Sequence, residues 1–257
     1  MAQENQIEKE RGQIYASMSV RIYHDLIELS EAVANELVNL SREAIDARGC
    51  FTLALAGGNT PRALYEVLAR DHRETIEWKR VHLFWSDERY VPPNDPQSNY
   101  RLVKESLLNH ISIPKENIHP IPTLFQDPKE AAEAYSKDIV RTFGKTAPSF
   151  DLVLLGLGPD GHTASLFPGS NFDLEYDGAA IVTQSPVPPR VRISLTMKAI
   201  NASHNIFSLV SGSEKAGILR AVLQGRDEAN PSYPAAWVRP EETLIWFVDK
   251  AAASNLQ

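Results

Sequence analysis

A repeated unit constrains this sequence more than any other feature: a strand-sized apolar run, a turn rich in glycine or charge, then a segment with helical spacing. Residues 51–56 lead into Gly57-Gly58-Asn59 and then Pro61, whose fixed φ suits the first helical position. Residues 81–85 lead into a charged run, a proline-rich loop and a helix starting near Ser98 or Asn99. Residues 150–155 form the most apolar strand, and 206–210 feed a helix over 214–224. Ahead of these, a strand at 19–23 precedes a helix whose Val33, Leu37, Leu40 and Ala44 share one face and which stops at Gly49. A weaker strand at 118–121, a helix at 128–143 and strands at 180–183, 191–195 and 244–248 complete the series. Strands lacking polar alternation are covered on both faces. The expected fold is therefore a three-layer α/β/α sandwich around a mostly parallel, Rossmann-like central sheet.

Composition sets the limits of that fold. The chain has 257 residues, 43% hydrophobic and 23% charged, enough to bury one large core. We expect a single domain over 19–257 behind a flexible tail at 1–18. The formal charge of -7 gives no global attraction for nucleic acid or an anionic membrane. The apolar runs fall far short of the roughly 20 residues that span a bilayer. Cys50 is the only cysteine, so neither an internal disulfide nor a Cys-x-x-Cys zinc site is available. With no apolar leader among the first 17 residues, a cytoplasmic location is expected.

Ligands of such sheets sit outside the carboxyl ends of the strands, so the loops after strands carry the functional information. In the first, Gly57 and Gly58 permit close backbone approach, and Asn59, Thr60 and the helix start offer donors. That loop fits a capped tight turn as well as an anion cradle. In the second, Asp87, Glu88 and Arg89 follow a buried strand, with Asn99 beyond the prolines. Arg89 is placed either to steady its neighbouring carboxylates or to meet a substrate oxygen.

The third loop runs from Gly156 to Gly169 and formally contains the dinucleotide fingerprint at Gly156, Gly158 and Gly161. Three features oppose that reading. Asp160 would face a pyrophosphate, Pro168-Gly169 interrupts the helix that should follow, and Asp173, Glu175 and Asp177 precede the next strand instead of ending it. The loop does deliver His162 two residues after Asp160, and an imidazole can take and return a proton near neutral pH. A catalytic histidine and one that only holds its turn remain open here. Cations arrive separately, from Arg190 and Arg192 at a strand start and from Lys215 at a helix start, where a phosphate cradle and an ordinary surface position are both open. Nucleoside triphosphate, serine hydrolase and HExxH zinc motifs are all missing from the sequence.

Taken together, Gly57-Gly58-Asn59-Thr60-Pro61, Asp87-Glu88-Arg89-Tyr90 with Ser98-Asn99, Gly156 through Pro168, Arg192-Ile193-Ser194-Leu195-Thr196 and Lys215 resemble the 6-phosphogluconolactonase family. That family lies within a wider group that includes glucosamine-6-phosphate isomerase/deaminase. The resemblance covers nearly all the chain after Ser19. It implies metal-independent hydrolysis of a small sugar-phosphate lactone; no cofactor, nucleic acid, membrane or obligate protein partner is expected, and a monomer is the expected state. It matches Gly57, Gly58, Asn59, Thr60, Arg192 and Lys215 to phosphate-binding positions and His162 to the general base. Asn59 departs from the family's frequent serine but keeps a donor. Asp160 orients His162 or binds sugar hydroxyls, Asp87 and Glu88 are candidates for those hydroxyls, and Arg89 or loop N–H groups are candidate oxyanion donors. A deaminase/isomerase and a non-catalytic sugar-phosphate sensor are the alternatives.

Overall fold

The computed structural model describes residues 17–144, 149–169, 176–226 and 232–256. Its centre is a six-stranded, wholly parallel sheet of β1 (Ser17–Tyr23), β2 (Phe51–Leu55), β3 (Val81–Trp85), β5 (Leu152–Gly156), β8 (Asn205–Val210) and β9 (Thr243–Asp249). Their spatial order is β1-β9-β8-β5-β2-β3. The helices are α1 (Leu26–Arg48), α2 (Asn59–Asp71), α3 (Asn99–Ser106), α4 (Pro128–Phe143), α5 (Met197–Asn201) and α6 (Ala216–Gly225). All five residues of β2 and all six of β8 are buried, as unalternated strands require. Trp85, Phe51, Phe84, Phe207, Trp246 and Phe247 fill the core, and α1 lays Leu29, Val33 and Leu37 against it.

Local chemistry explains where the elements stop and start. Asp25 caps α1, its carboxylate accepting from the N–H groups of Ile27 and Glu28, and Gly49 ends that helix at φ 83°. Asp127 and Gly144 play the same parts for α4, with Pro128 in its first turn. No described helix is long and apolar enough to cross a membrane.

The expected sandwich and parallel sheet are present, with four differences from the sequence reading. Strands β6 (Ala180–Gln184) and β7 (Val191–Leu195) do not join the central sheet; with β4 (Asp87–Arg89), which sequence treats as loop, they form an antiparallel sheet in the order β4-β7-β6. Residues 118–121 make only an isolated bridge from Ile118 to Leu83, because Pro120 and Pro122 lack the N–H a ladder needs. Helix α2 begins at Asn59, two residues before Pro61, since Gly58 turns the chain at φ 102°. Strand β1 starts at Ser17, inside the expected tail; the rest of that tail, and Asp173 and Glu175, lie outside the described residues.

This order places a topological switch between β2 and β5. From β2 the chain moves outward to β3, then returns to the other side of β2 as β5 and continues outward through β8 and β9. The loops leaving β2 and β5 therefore diverge, opening a crevice at the carboxyl edge.

Candidate active site

A cavity of about 540 Å³ occupies that crevice. Gly57, Gly58, Asp87, Arg89, Asn99, Asp160, His162, Arg192 and Lys215, all singled out from sequence, line it. Asn59 and Thr60 line an adjoining recess of about 430 Å³, which shares Gly57, Gly58, Gly156, Leu157 and Lys215 with the cavity. Glu88 stands apart, lining a neighbouring apolar cleft beside Tyr100 and Pro120.

The β5 loop is built to hold one imidazole. His162 Nδ1 lies 2.5 Å from Asp160 Oδ1, and the His162 N–H donates to the same oxygen at 3.2 Å. Burial acts to raise the Asp160 pKa, but the charge and hydrogen bonds of His162 outweigh it and hold the carboxyl below its usual range. An ionised Asp160 accepts only, so Nδ1 is the donor of this pair, and in the neutral imidazole the lone pair is at Nε2. The ring packs on Phe167 at 4.7 Å between centroids. Gly158 donates to His162 O at 2.8 Å, and a Cβ on Gly158 would stand 2.0 Å from Nδ1, so the imidazole can sit here only beside a glycine.

Residues that sequence did not single out brace the loop. Ala164 adopts the left-handed region at φ 46°, and the backbone there is held from both sides. Thr163 Oγ1 donates to Gly156 O at 3.0 Å, Ser165 N donates to Ser194 Oγ at 3.2 Å, and Ser165 Oγ donates to Asp87 Oδ2 at 2.5 Å. From outside, Ala235 N donates to Gly161 O at 3.1 Å and the Tyr233 ring covers Gly161. Ser185, Pro186 and Val187 add a further wall. The prolines at 186, 188 and 189 immediately after a strand were the available signal for it.

The cations come from both sheets. Arg89 and Arg192 are direct cross-strand partners on β4 and β7. Arg89 Nη1 donates to Gln97 O at 2.8 Å, while the Nε of each arginine is buried with no hydrogen-bond partner among the described residues. Burial, then the Arg89 charge, lowers the Arg192 pKa, with Asp87 and Glu88 opposing. Like charges set opposite each other across strands leave this wall electrostatically suited to an anion. Lys215 follows β8 through Gly212, whose N–H donates to Asp249, as does Ser211 Oγ at 2.5 Å. Asp249, at the end of β9, thus fixes the turn that carries the lysine.

The chain as a whole has known relatives. Residues 24–246 match the family model described as glucosamine-6-phosphate isomerases/6-phosphogluconolactonase. The chain is 41% identical over 219 residues to a 6-phosphogluconolactonase of Synechocystis sp., covering 84% of this chain and 88% of that one. It is 39% identical to a 6-phosphogluconolactonase of Mycobacterium tuberculosis, over 93% of this chain and 99% of the relative. Among solved structures, the 6-phosphogluconolactonase from Trypanosoma brucei superposes with a TM-score of 0.81 at 31% identity, covering 94% of this chain and all of the other. A monomeric glucosamine-6-phosphate deaminase shares the fold at a TM-score of 0.78 and 23% identity. With its fold, its switch-point cavity and the family match over residues 24–246, this chain belongs to the glucosamine-6-phosphate isomerase/6-phosphogluconolactonase family.

Proposed function

We propose that the protein hydrolyses 6-phospho-D-glucono-1,5-lactone to 6-phosphogluconate, with His162 as general base. The observation that carries this reading is the 2.5 Å pair between Asp160 and His162, which leaves Nε2 free in a cavity walled by cations. Relatives at about 40% identity named 6-phosphogluconolactonase support the same substrate.

In the proposed path, Nε2 takes a proton from water as that water bonds to lactone carbon C1. The carbonyl electrons move to oxygen, and the Arg89 guanidinium or loop N–H groups stabilise the oxyanion. On collapse the C1–ring oxygen bond breaks, and the imidazolium returns its proton to the leaving ring oxygen. Asp160 fixes the tautomer and offsets the imidazolium charge between the two steps. The phosphate binds at the Gly57–Thr60 turn and the α2 start, with Lys215 on one side and Arg192 on the other. Asp87 and Asn99 face the sugar, and holding the remote phosphate orients C1 toward His162. Every step uses side chains, backbone N–H groups and water.

The test is proton release from freshly generated 6-phosphogluconolactone, measured against the spontaneous rate, with and without EDTA. Rapid EDTA-insensitive turnover that disappears in His162→Ala is expected. A wild-type rate no faster than the spontaneous one overturns the reading, and release of ammonia from glucosamine 6-phosphate would replace it.

A further inference from the structure

Glu88 has no ordinary explanation as a substrate ligand. It is the middle residue of β4, and strand alternation sends its side chain away from the cavity that Asp87 and Arg89 face. The residue is only 2% exposed. Its carboxylate accepts four hydrogen bonds, from Arg89 N, Asn99 N and Tyr100 N at 2.7 Å each and from Ser98 Oγ at 3.0 Å. All four donors are neutral, and burial drives its pKa up to about 7 despite the backbone donors. A buried carboxylate satisfied in this way costs free energy, while it fixes direction at four points.

What those points control lies on the cavity wall. Asn99 and Tyr100 open α3, and Ser98 caps it through Arg101 N. Pinned there, Asn99 donates through Nδ2 to the Asp87 carbonyl at 2.9 Å and to Asp87 Oδ1 at 3.3 Å. The same side chain packs against Gly57, where a Cβ would meet Asn99 Oδ1 at 1.9 Å. Asp87 in turn receives Ser165 from the His162 loop. Arg89 is held twice on the same side, by its N–H on Glu88 and by its guanidinium on Gln97 O.

We infer that Glu88 is a positioning residue for the reaction: from outside the cavity, its carboxylate locks β4 to the first turn of α3 and so sets Arg89, Asp87 and Asn99 against His162. The inference rests on the lactonase reading. It assigns Glu88 to the chemical step and not to substrate affinity, because Arg89 is the proposed oxyanion donor and Asp87 holds Ser165 of the His162 loop. In Glu88→Gln the shape is kept but an amide NH₂ meets N–H donors, so at least one of the four bonds is lost.

The experiment compares Glu88→Gln with wild type at pH 7.5, reading kcat and KM for 6-phosphogluconolactone together with amide hydrogen exchange at Asn99 and Tyr100. The expected result is a fall in kcat of about tenfold or more, KM within threefold, and faster exchange at both amides. Unchanged kcat in a folded Glu88→Gln overturns the inference, as does a rise in KM alone or unchanged exchange. If Glu88→Gln fails to fold, Ser98→Ala removes one donor and should lower kcat several-fold in the same direction; a wild-type kcat there overturns the inference. A wild-type protein without lactonase activity removes the catalytic reading itself, a result distinct from these.

Discussion

Replacing Gly158 by alanine isolates the placement of His162 from everything else in the site. Gly158 does not sit at positive φ, so alanine is tolerated by the backbone, and the nearest obstacle is the imidazole. The added Cβ would lie 2.0 Å from Nδ1 and 2.1 Å from Cε1, against an ordinary contact of at least 3.4 Å, so one of the two must recede by about 1.4 Å. The backbone cannot easily yield, because Gly158 both donates to His162 O and accepts from Gly161 N. The ring must then leave its present place beside Asp160. A displacement of about 1 Å at a reacting group costs roughly 100-fold in rate, about 2.7 kcal/mol of barrier. We therefore expect kcat to drop about 100-fold while the affinity for 6-phosphogluconate, read by calorimetry, stays within threefold. Gly217→Ala in α6, where a Cβ meets nothing within 4 Å, is the steric control and should retain full activity. A kcat for Gly158→Ala within threefold of wild type would refute the reasoning that this turn sets the imidazole.

Other outcomes follow from the same geometry. Asp160→Asn loses the acceptor-only partner that fixes the tautomer, and kcat should fall about 100-fold or more with KM little changed, by initial rates. Lys215→Ala removes one charge-assisted contact of about 1.5 to 3 kcal/mol, so KM should rise at least tenfold with kcat nearly constant; a loss confined to kcat would contradict the phosphate assignment. Glu88 makes stability depend on pH with a defined sign. Its folded pKa of about 7 lies above the usual 4.5, so the folded state holds the extra proton, and stability present below about pH 4.5 is lost as pH rises through 7. The total is about 3 kcal/mol, and urea unfolding at pH 5 and pH 8 should show wild type losing more than Glu88→Gln; parallel losses would contradict it.

The strands of the central sheet were legible because residues such as Phe51, Leu53, Val153 and Leu155 need cover on both faces, a requirement written in short runs of sequence. The loops after β2 and β5 were legible for the same reason, since a strand end in such a sheet points at the crevice. What escaped depends on partners distant in the chain. Strand β4 exists because Arg89 and Asp87 find Arg192 and Ser194 on β7, more than a hundred residues later. Ser165 reads as an ordinary loop serine until Asp87 is beside it, and Asp249 reads as a strand end until Ser211 and Gly212 reach it. The direction of Glu88 could not be read either, because a three-residue strand carries too few positions to reveal alternation.

The division of the site between two sheets has a mechanical consequence. Lys215 is anchored beyond a central strand, whereas Arg192 belongs to the small antiparallel sheet, and both face one cavity. A phosphate gripped by both is then a removable cross-link between two hydrogen-bonded bodies. Product at a hundred times its dissociation constant would add about 2.7 kcal/mol to the folded state. The molecule should therefore be stiffest when occupied and loosest at the instant it exchanges product for the next lactone.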